Sequence, residues 1–173
     1  MTTYGEEHRG GEEHRSLVVI LMGSKGDLAH SQKIAEAARS FGLEVVLRIA
    51  SAHKTPEHTL KILQTYEADP RPKVYITVAG RSNALSGFSD GSVSAPVIAC
   101  PPGSEAFGGA DIYSSLRMPS AIAPAVVLEP ANAALLAAKI LGLVDAAVKE
   151  KVRQFQRTQA EKILADDQEL QHA

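Results

Sequence analysis

The chain lacks tryptophan altogether and contains a single cysteine among its 173 residues. One cysteine, Cys100, cannot form a disulfide within the chain, which excludes a disulfide-stapled scaffold and favours a reducing, cytoplasmic location. Cys100 ends an apolar segment, residues 96–100, immediately before two prolines. We therefore expect a packed thiol rather than a nucleophile, since free cysteine is often buried.

The sequence also lacks a strong excess of either charge, with a formal net charge of −2. It contains no cluster of lysine and arginine interleaved with aromatic residues. These two absences exclude bulk electrostatic attraction to nucleic acid or to a membrane surface. No apolar run reaches the length of a membrane-spanning helix. The length and a hydrophobic content of 45% instead predict one globular domain with its own core.

The N-terminus lacks the apolar segment of a signal peptide. It repeats the pentad Gly-Glu-Glu-His-Arg at residues 5–9 and 11–15. Glycine and charge without an apolar run predict a disordered tail over residues 1–15. A single catalytic domain is expected over residues 16–173.

Strand-like and helix-like segments alternate after this tail. Strands are predicted at residues 17–22, 43–49, 73–79, 96–100 and 125–129, and helices at residues 28–41, 56–67 and 130–141. Alternation with short connections predicts right-handed βαβ units. The expected fold is α/β, a three-layer αβα sandwich around a parallel, flavodoxin-like sheet of about five strands.

The last segment predicts one long helix over residues 145–166. Val148, Val152, Phe155 and Ile163 lie on one stripe of this helix. The stripe can pack on its own domain, or it can pack on a partner subunit. We favour a partner, and so an oligomerisation helix, because the helix is long for one small sheet to cover.

The most informative stretch is Ser51-Ala52-His53-Lys54-Thr55-Pro56, between the second strand and the second helix. Open α/β sheets bind ligands beyond the carboxyl ends of their strands, so a histidine here is expected to face a ligand. Imidazole transfers protons near neutral pH, and a hydroxyl and a cation beside it suit a phosphate. The stretch predicts an enzyme acting on a phosphorylated small molecule.

A second loop, Gly23-Ser24-Lys25-Gly26-Asp27, follows the first strand. Its glycines let the backbone approach a ligand, and the helix N-terminus that follows favours an anion. Asp27 is expected to cap that helix, to hold sugar hydroxyls, or to do both. The spacing matches neither a Walker loop nor the Rossmann glycine pattern.

A third loop, Gly80-Arg81-Ser82-Asn83, follows the third strand and offers a guanidinium, a hydroxyl and an amide at the same sheet edge. It opens the predicted loop 80–95, and a second long loop is predicted at 101–124. Loops of this length in a compact domain are usually functional. No metal site is predicted, because His30 and His58 lie in helical patterns with no set of partner ligands.

Five motifs carry a family resemblance. They are Met22-Gly-Ser-Lys-Gly-Asp27, Ser51-Ala-His-Lys-Thr-Pro56, Ala79-Gly-Arg-Ser-Asn-Ala84, Tyr113-Ser-Ser-Leu-Arg-Met-Pro119 and Asn132-Ala-Ala-Leu-Leu-Ala-Ala138. In this order and spacing, over roughly residues 17–165, they resemble the phosphoribosylaminoimidazole carboxylase family of purine biosynthesis. The resemblance implies an αβα sandwich, an aminoimidazole ribonucleotide substrate, no cofactor and assembly into homo-tetramers or homo-octamers.

Two classes of this family differ in two motifs. Mutases, which rearrange N5-carboxyaminoimidazole ribonucleotide, carry Ser-Ala-His-Arg and Gly-Gly-Ala-Ala-His-Leu. Carboxylases, which add carbon dioxide to aminoimidazole ribonucleotide, carry Ser-Ala-His-Lys and Ala-Gly-Arg-Ser-Asn. Lys54, Gly80-Arg-Ser-Asn83 and Ala84 in place of the mutase histidine resemble the carboxylase class. The mutase remains the alternative within the family, and a non-catalytic nucleotide-binding module remains the alternative of another class.

The resemblance also implies a role for individual residues. His53 matches the catalytic histidine. The substrate-binding residues implied are Ser24, Asp27, Ser51, Lys54, Arg81, Ser82 and Asn83. Gly26 departs from the serine that is common there in mutases, which leaves only its backbone amide for a phosphate.

Overall fold

The computed structural model describes residues 15–172, so all but the last residue of the predicted tail lies outside the described residues. The strands are β1 (Leu17–Met22), β2 (Glu44–Ile49), β3 (Lys73–Val78), β4 (Val97–Ala99) and β5 (Ala125–Val126). The α-helices are α1 (Leu28–Ser40), α2 (Pro56–Glu67), α3 (Ala84–Asp90), α4 (Tyr113–Leu116), α5 (Pro130–Leu141) and α6 (Ala146–Gln171). Short 3-10 segments occur at Lys25–Asp27 and Ala106–Ile112.

The five strands form one parallel sheet in the order β2-β1-β3-β4-β5. The predicted strands and the predicted fold class are confirmed, although β4 and β5 are shorter than expected. The strand order reverses direction between β1 and the central strand β3. In such open sheets the crevice for a ligand lies at this switch point, beyond the carboxyl ends of the strands.

Alternate residues of β1 build two separate cores. Val18, Ile20 and Met22 pack with residues of α1, α5 and the start of α6 on one face. Leu17, Val19 and Leu21 pack with residues of α2 and α3 on the other face. Because both faces of β1 are covered, every one of its residues is buried and the strand is apolar throughout. This arrangement makes the three layers.

Two helices lie within the predicted loops. Helix α3 falls inside the predicted loop 80–95, and α4 falls inside the predicted loop 101–124. The sequence of α3 contains a glycine and two serines, which are weak helix formers. It is stabilised by packing on β3 and β4 and by a side-chain cap from Asn83. The helix propensity of these residues therefore gives little indication of α3.

The stripe on α6 divides into two parts. Val148 and Val152 are buried in the core of their own domain, which corrects the expectation that a partner subunit covers them. Phe155 packs edge-to-face on Phe41, with ring centroids 5.5 Å apart. Ile163 is 66% exposed, and the second half of the helix lies free of the sheet. The helix also extends past the predicted end at residue 166.

Candidate active site

The loops after β1, β2 and β3 enclose a cavity of about 720 Å³ at the carboxyl edge of the sheet. All the predicted site residues except Asn83 line it, namely Ser24, Asp27, Ser51, His53, Lys54, Arg81 and Ser82. Three segments that are distant in sequence thus meet at one place. This convergence follows from the parallel sheet, because the carboxyl ends of neighbouring strands share an edge.

The loop after β1 is fixed by Asp27. Its Oδ2 accepts hydrogen bonds from the backbone N–H of Ser24 at 3.0 Å and from the Ser24 hydroxyl at 3.1 Å. The carboxylate makes no side-chain cap bond to α1, although Asp27 occupies the N-cap position. The same carboxylate instead closes a capping box with Ser24 on the 3-10 turn Lys25–Asp27 that leads into α1. Its Oδ1 forms no hydrogen bond with the described residues, which leaves it available to sugar hydroxyls.

The loop after β2 is a tight turn that bonds to itself. The N–H of Thr55 donates to the carbonyl of Ser51 at 2.8 Å, and the N–H of Lys54 donates to the Ser51 hydroxyl oxygen at 3.2 Å. Pro56 then begins α2, where its fixed φ suits the first helical position. The turn leaves the side chains of His53 and Lys54 exposed on the cavity wall. Since the Ser51 oxygen accepts within the turn, its own O–H can donate to an anion.

The loop after β3 is held in an unusual backbone conformation. Arg81 has a φ of +57°, a left-handed value that non-glycine residues seldom adopt. The hydroxyl of Ser114 lies 2.9 Å from the Arg81 carbonyl oxygen. Arg81 and Ser82 are exposed and line the cavity. The loop therefore adds Arg81 and Ser82 to the cavity wall beside the β1 loop, because β3 neighbours β1 in the sheet.

Asn83 is placed differently from the other predicted residues. Its side chain is buried, with the residue only 4% exposed. Oδ1 accepts from the N–H of Ser86 at 3.2 Å, and Nδ2 donates to the hydroxyl of Ser115 at 2.9 Å. The amide thus caps α3 and ties it to α4, and the structure does not bring it to the cavity lining.

A second cavity, of about 700 Å³, adjoins the first and was not anticipated. The two share Ala79, Gly80 and the segment 102–104 as a common wall. His30 lines the second cavity with its Nε2 3.4 Å from the sulfur of Cys100, and burial lowers the pKa of this imidazole. In the sequence only the helical pattern around His30 is visible, and that pattern is equally typical of a surface or a packing residue.

Asp111 is the clearest residue that sequence reasoning missed. It lines both cavities, and its Oδ2 is buried without a hydrogen-bond partner among the described residues. A buried carboxylate oxygen without a donor is costly, so such atoms usually mark a place where a ligand or water supplies the donor. The signal available in sequence was an acidic residue inside a long loop, and that alone does not separate a site residue from a solvated one.

The buried thiol of Cys100 is expected to be inert. Burial raises its pKa to about 12, so at neutral pH the group is a protonated thiol, which is the unreactive form. We predict negligible reaction with a thiol-disulfide reagent at pH 7 to 8 in the native protein, and one equivalent after denaturation. Cys100→Ala should retain turnover. Rapid labelling of the native protein with parallel loss of activity would instead make Cys100 part of the chemistry.

Two further features are missing from the part of the chain between residues 15 and 172. No group of three or more His, Cys, Asp or Glu side chains is placed to hold a metal ion. No helix there has both the length and the apolar character needed to cross a membrane. The first cavity is lined by several kinds of polar group. They comprise hydroxyls and cations for an anion, a carboxylate for sugar hydroxyls, and an imidazole for a proton.

Comparison with known proteins agrees with this geometry. A family model described as AIR carboxylase matches residues 17–162. A phosphoribosylaminoimidazole carboxylase of Treponema denticola is 58% identical over 156 residues, covering 90% of this chain and 98% of the relative. One from Archaeoglobus fulgidus is 56% identical over 164 residues, covering 95% of this chain and 89% of the relative.

A solved structure gives the same result. The crystal structure of Treponema denticola PurE superposes with a TM-score of 0.89 at 58% identity, covering 90% of this chain and 99% of that one. Residues 17–162, which the family model matches, contain all three cavity loops and the whole sheet. The chain belongs to the AIR carboxylase family.

Proposed function

We propose that this chain carboxylates 5-aminoimidazole ribonucleotide with carbon dioxide, giving 4-carboxy-5-aminoimidazole ribonucleotide in de novo purine biosynthesis. The observation that carries the proposal is the position of His53. It stands exposed at the tip of a tight turn, on the wall of a cavity whose other polar groups suit a ribose and a phosphate. The experiment is to follow formation of the 4-carboxylated product from aminoimidazole ribonucleotide and bicarbonate with purified protein.

The chemistry needs few groups from the protein. The aminoimidazole ring is enamine-like, and its carbon beside the amine attacks carbon dioxide without biotin, ATP or a metal. That ring carbon then bears both its original proton and the new carboxylate. An unperturbed imidazole titrates near pH 6.5, so histidine is suited to remove that proton at neutral pH and restore the aromatic ring. We assign this step to His53.

The remaining residues are assigned to binding and orientation. The Ser51 hydroxyl and Lys54 hold the phosphate, and Asp27 with Ser24 holds the ribose. Arg81 and Ser82 complete the wall from the β3 loop. Because the phosphate is remote from the reacting carbon, its binding energy serves to orient the ring against His53. The placement of Asn83 supports a role in holding the loop for this residue, in place of the substrate contact implied by resemblance.

The mutase is the second candidate. Residue 84 distinguishes the two classes, since mutases have a histidine at this position and this chain has an alanine. Ala84 lines the cavity at the first position of α3. A side chain at this position lines the cavity, so replacing histidine by alanine changes the groups that the cavity offers to a substrate. The names of the two relatives above, together with Lys54 and Ala84, favour the carboxylase.

Assembly and location are part of the proposal. The outer half of α6 exposes Ile163, Leu164 and Leu170, each at least 63% accessible. An apolar helical surface of this kind is a natural component of a permanent subunit interface. We propose a cytoplasmic homo-tetramer or homo-octamer built with closed symmetry.

Replacing Lys54 should weaken binding of the phosphorylated substrate specifically. A charged hydrogen bond to phosphate contributes enough that Lys54→Met is expected to raise KM about tenfold to a hundredfold, with a smaller effect on kcat. The matched control is Lys61→Met, an exposed lysine on α2 that does not line the cavity. Binding of the nucleoside without phosphate should be unaffected by either change. An equal loss for nucleoside and nucleotide would remove Lys54 from the phosphate site.

A further inference from the structure

Helix α4 touches the cavity only indirectly, through the loop that follows β3. Its Ser114 is half-buried, lies outside the cavity lining, and makes three short polar contacts. The Ser114 oxygen accepts a hydrogen bond from the N–H of Asn83 at 3.0 Å. It also lies 2.9 Å from the carbonyl oxygen of Arg81 and 2.8 Å from that of Asp111. One hydroxyl proton serves two carbonyl groups, so the contacts join the β3 loop to the segment that precedes α4.

A second tie lies beside the first. The buried amide of Asn83 donates to Ser115 at 2.9 Å, and its oxygen accepts from the first turn of α3. Two consecutive serines of α4 thus hold two nearby residues of one loop. The bonds from Ser114 go to backbone atoms, so they fix the path of the loop rather than any one side chain.

The backbone conformation at Arg81 requires stabilisation by neighbouring groups. Its φ of +57° is unfavourable for a residue with a Cβ, and such a conformation persists only where the surroundings impose it. Without the bond to its carbonyl, Arg81 is free to return to the ordinary negative φ region. That rotation swings the Cα–Cβ direction, and it takes the guanidinium away from its place on the cavity wall.

We propose that Ser114 is a positioning residue for substrate binding, which acts by holding Arg81 in the left-handed conformation that presents its guanidinium to the cavity. The inference rests on the proposed function for its catalytic consequence, since that function assigns Arg81 to the substrate. It gives the Ser-Ser pair of α4 a role in the loop that distinguishes the two classes of the family. Ser114 itself touches no substrate in this account.

A double-mutant cycle tests whether the effect passes through Arg81. Ser114→Ala is expected to lower kcat/KM about three- to tenfold, mostly through KM, as for the loss of one hydrogen bond. In an Arg81→Ala background the same change should cost less than about twofold, because no guanidinium remains to be positioned. The control is Ser92→Ala, which removes a serine-to-carbonyl bond of 2.7 Å outside the cavity lining. Equal losses from Ser114→Ala in both backgrounds, or no loss in the wild-type background, overturn the proposal.

Limited trypsin digestion tests whether Ser114 stabilises the loop at Arg81, and it does so without an assay of activity. Trypsin cleaves after arginine, and the Arg81–Ser82 bond lies in an exposed loop whose cleavage depends on local opening. Ser114→Ala should speed the appearance of fragments that begin at Ser82 relative to wild type and to Ser92→Ala, as followed by mass spectrometry. An unchanged rate overturns the proposal. Wild-type protein that fails to turn over aminoimidazole ribonucleotide defeats the proposed function, while the digestion result still decides the role of Ser114.

Discussion

The change His53→Asn is expected to abolish turnover while leaving ligand affinity nearly intact. Asparagine keeps a polar side chain of similar size but cannot accept a proton from the ring carbon. The expected fall in kcat is on the order of a hundredfold or more, as for loss of a general acid–base group. Binding should survive, because the groups assigned to ribose and phosphate lie on the β1 loop and on neighbouring positions of the same turn.

The experiment needs rate and affinity from the same preparation. Steady-state kinetics gives kcat, and calorimetric titration with the ribonucleotide gives Kd. The control is His58→Asn, since His58 is an exposed histidine on α2 outside the cavity lining. That variant should behave as wild type. A His53→Asn enzyme of near-normal rate would remove the residue from the mechanism, and a fall explained wholly by lost affinity would make it a binding group.

Ending the chain after Gln156 is expected to dissociate the oligomer while the fold survives. This truncation removes the exposed residues Ile163, Leu164 and Leu170 but retains Val148 and Val152, which complete the core. Light scattering coupled to size exclusion should show a smaller species, with weakened activity if the sites lie at subunit borders. Circular dichroism should show a folded domain.

Truncation before Asp145 should give a different result. It removes two buried valines, each worth about 1.5–3 kcal/mol of burial, together with the hydrogen bond of 2.9 Å from Ser16 to Asp145. We therefore expect a clear fall in Tm in addition to any loss of assembly. Removal of residues 1–14 is the control and should change neither property. An intact chain that is monomeric at micromolar concentration would contradict the assembly proposal.

The sheet and the main loops were predictable because each depends on residues that are close together in the sequence. The six residues of β1 are all apolar since both their faces are covered, and Pro56 marks the first turn of α2. Once the strands are parallel, the loops after them must share an edge. This rule alone brings Ser24, His53 and Arg81 to one cavity. The sequence shows no direct contact between them.

The features that escaped prediction depend on tertiary contacts. The family resemblance implies a substrate contact for Asn83, but its bonds to Ser86 and Ser115 hold its side chain in a buried position. A partner subunit was favoured for the whole apolar stripe of α6, because the spacing of apolar residues does not show which turns of the helix pack on their own domain. Asp111 was missed since its unpartnered oxygen is a property of the folded loop.

Parallel assays of the two ribonucleotides test directly whether this chain is a carboxylase or a mutase. Purified protein is incubated separately with aminoimidazole ribonucleotide plus bicarbonate and with N5-carboxyaminoimidazole ribonucleotide, and the 4-carboxylated product is measured in each. We expect product from the first mixture, at a rate that depends on dissolved carbon dioxide and disappears in His53→Asn. Turnover of the N5-carboxylated substrate with none from aminoimidazole ribonucleotide would contradict this expectation and identify a mutase, and binding without turnover of either would identify a binding module.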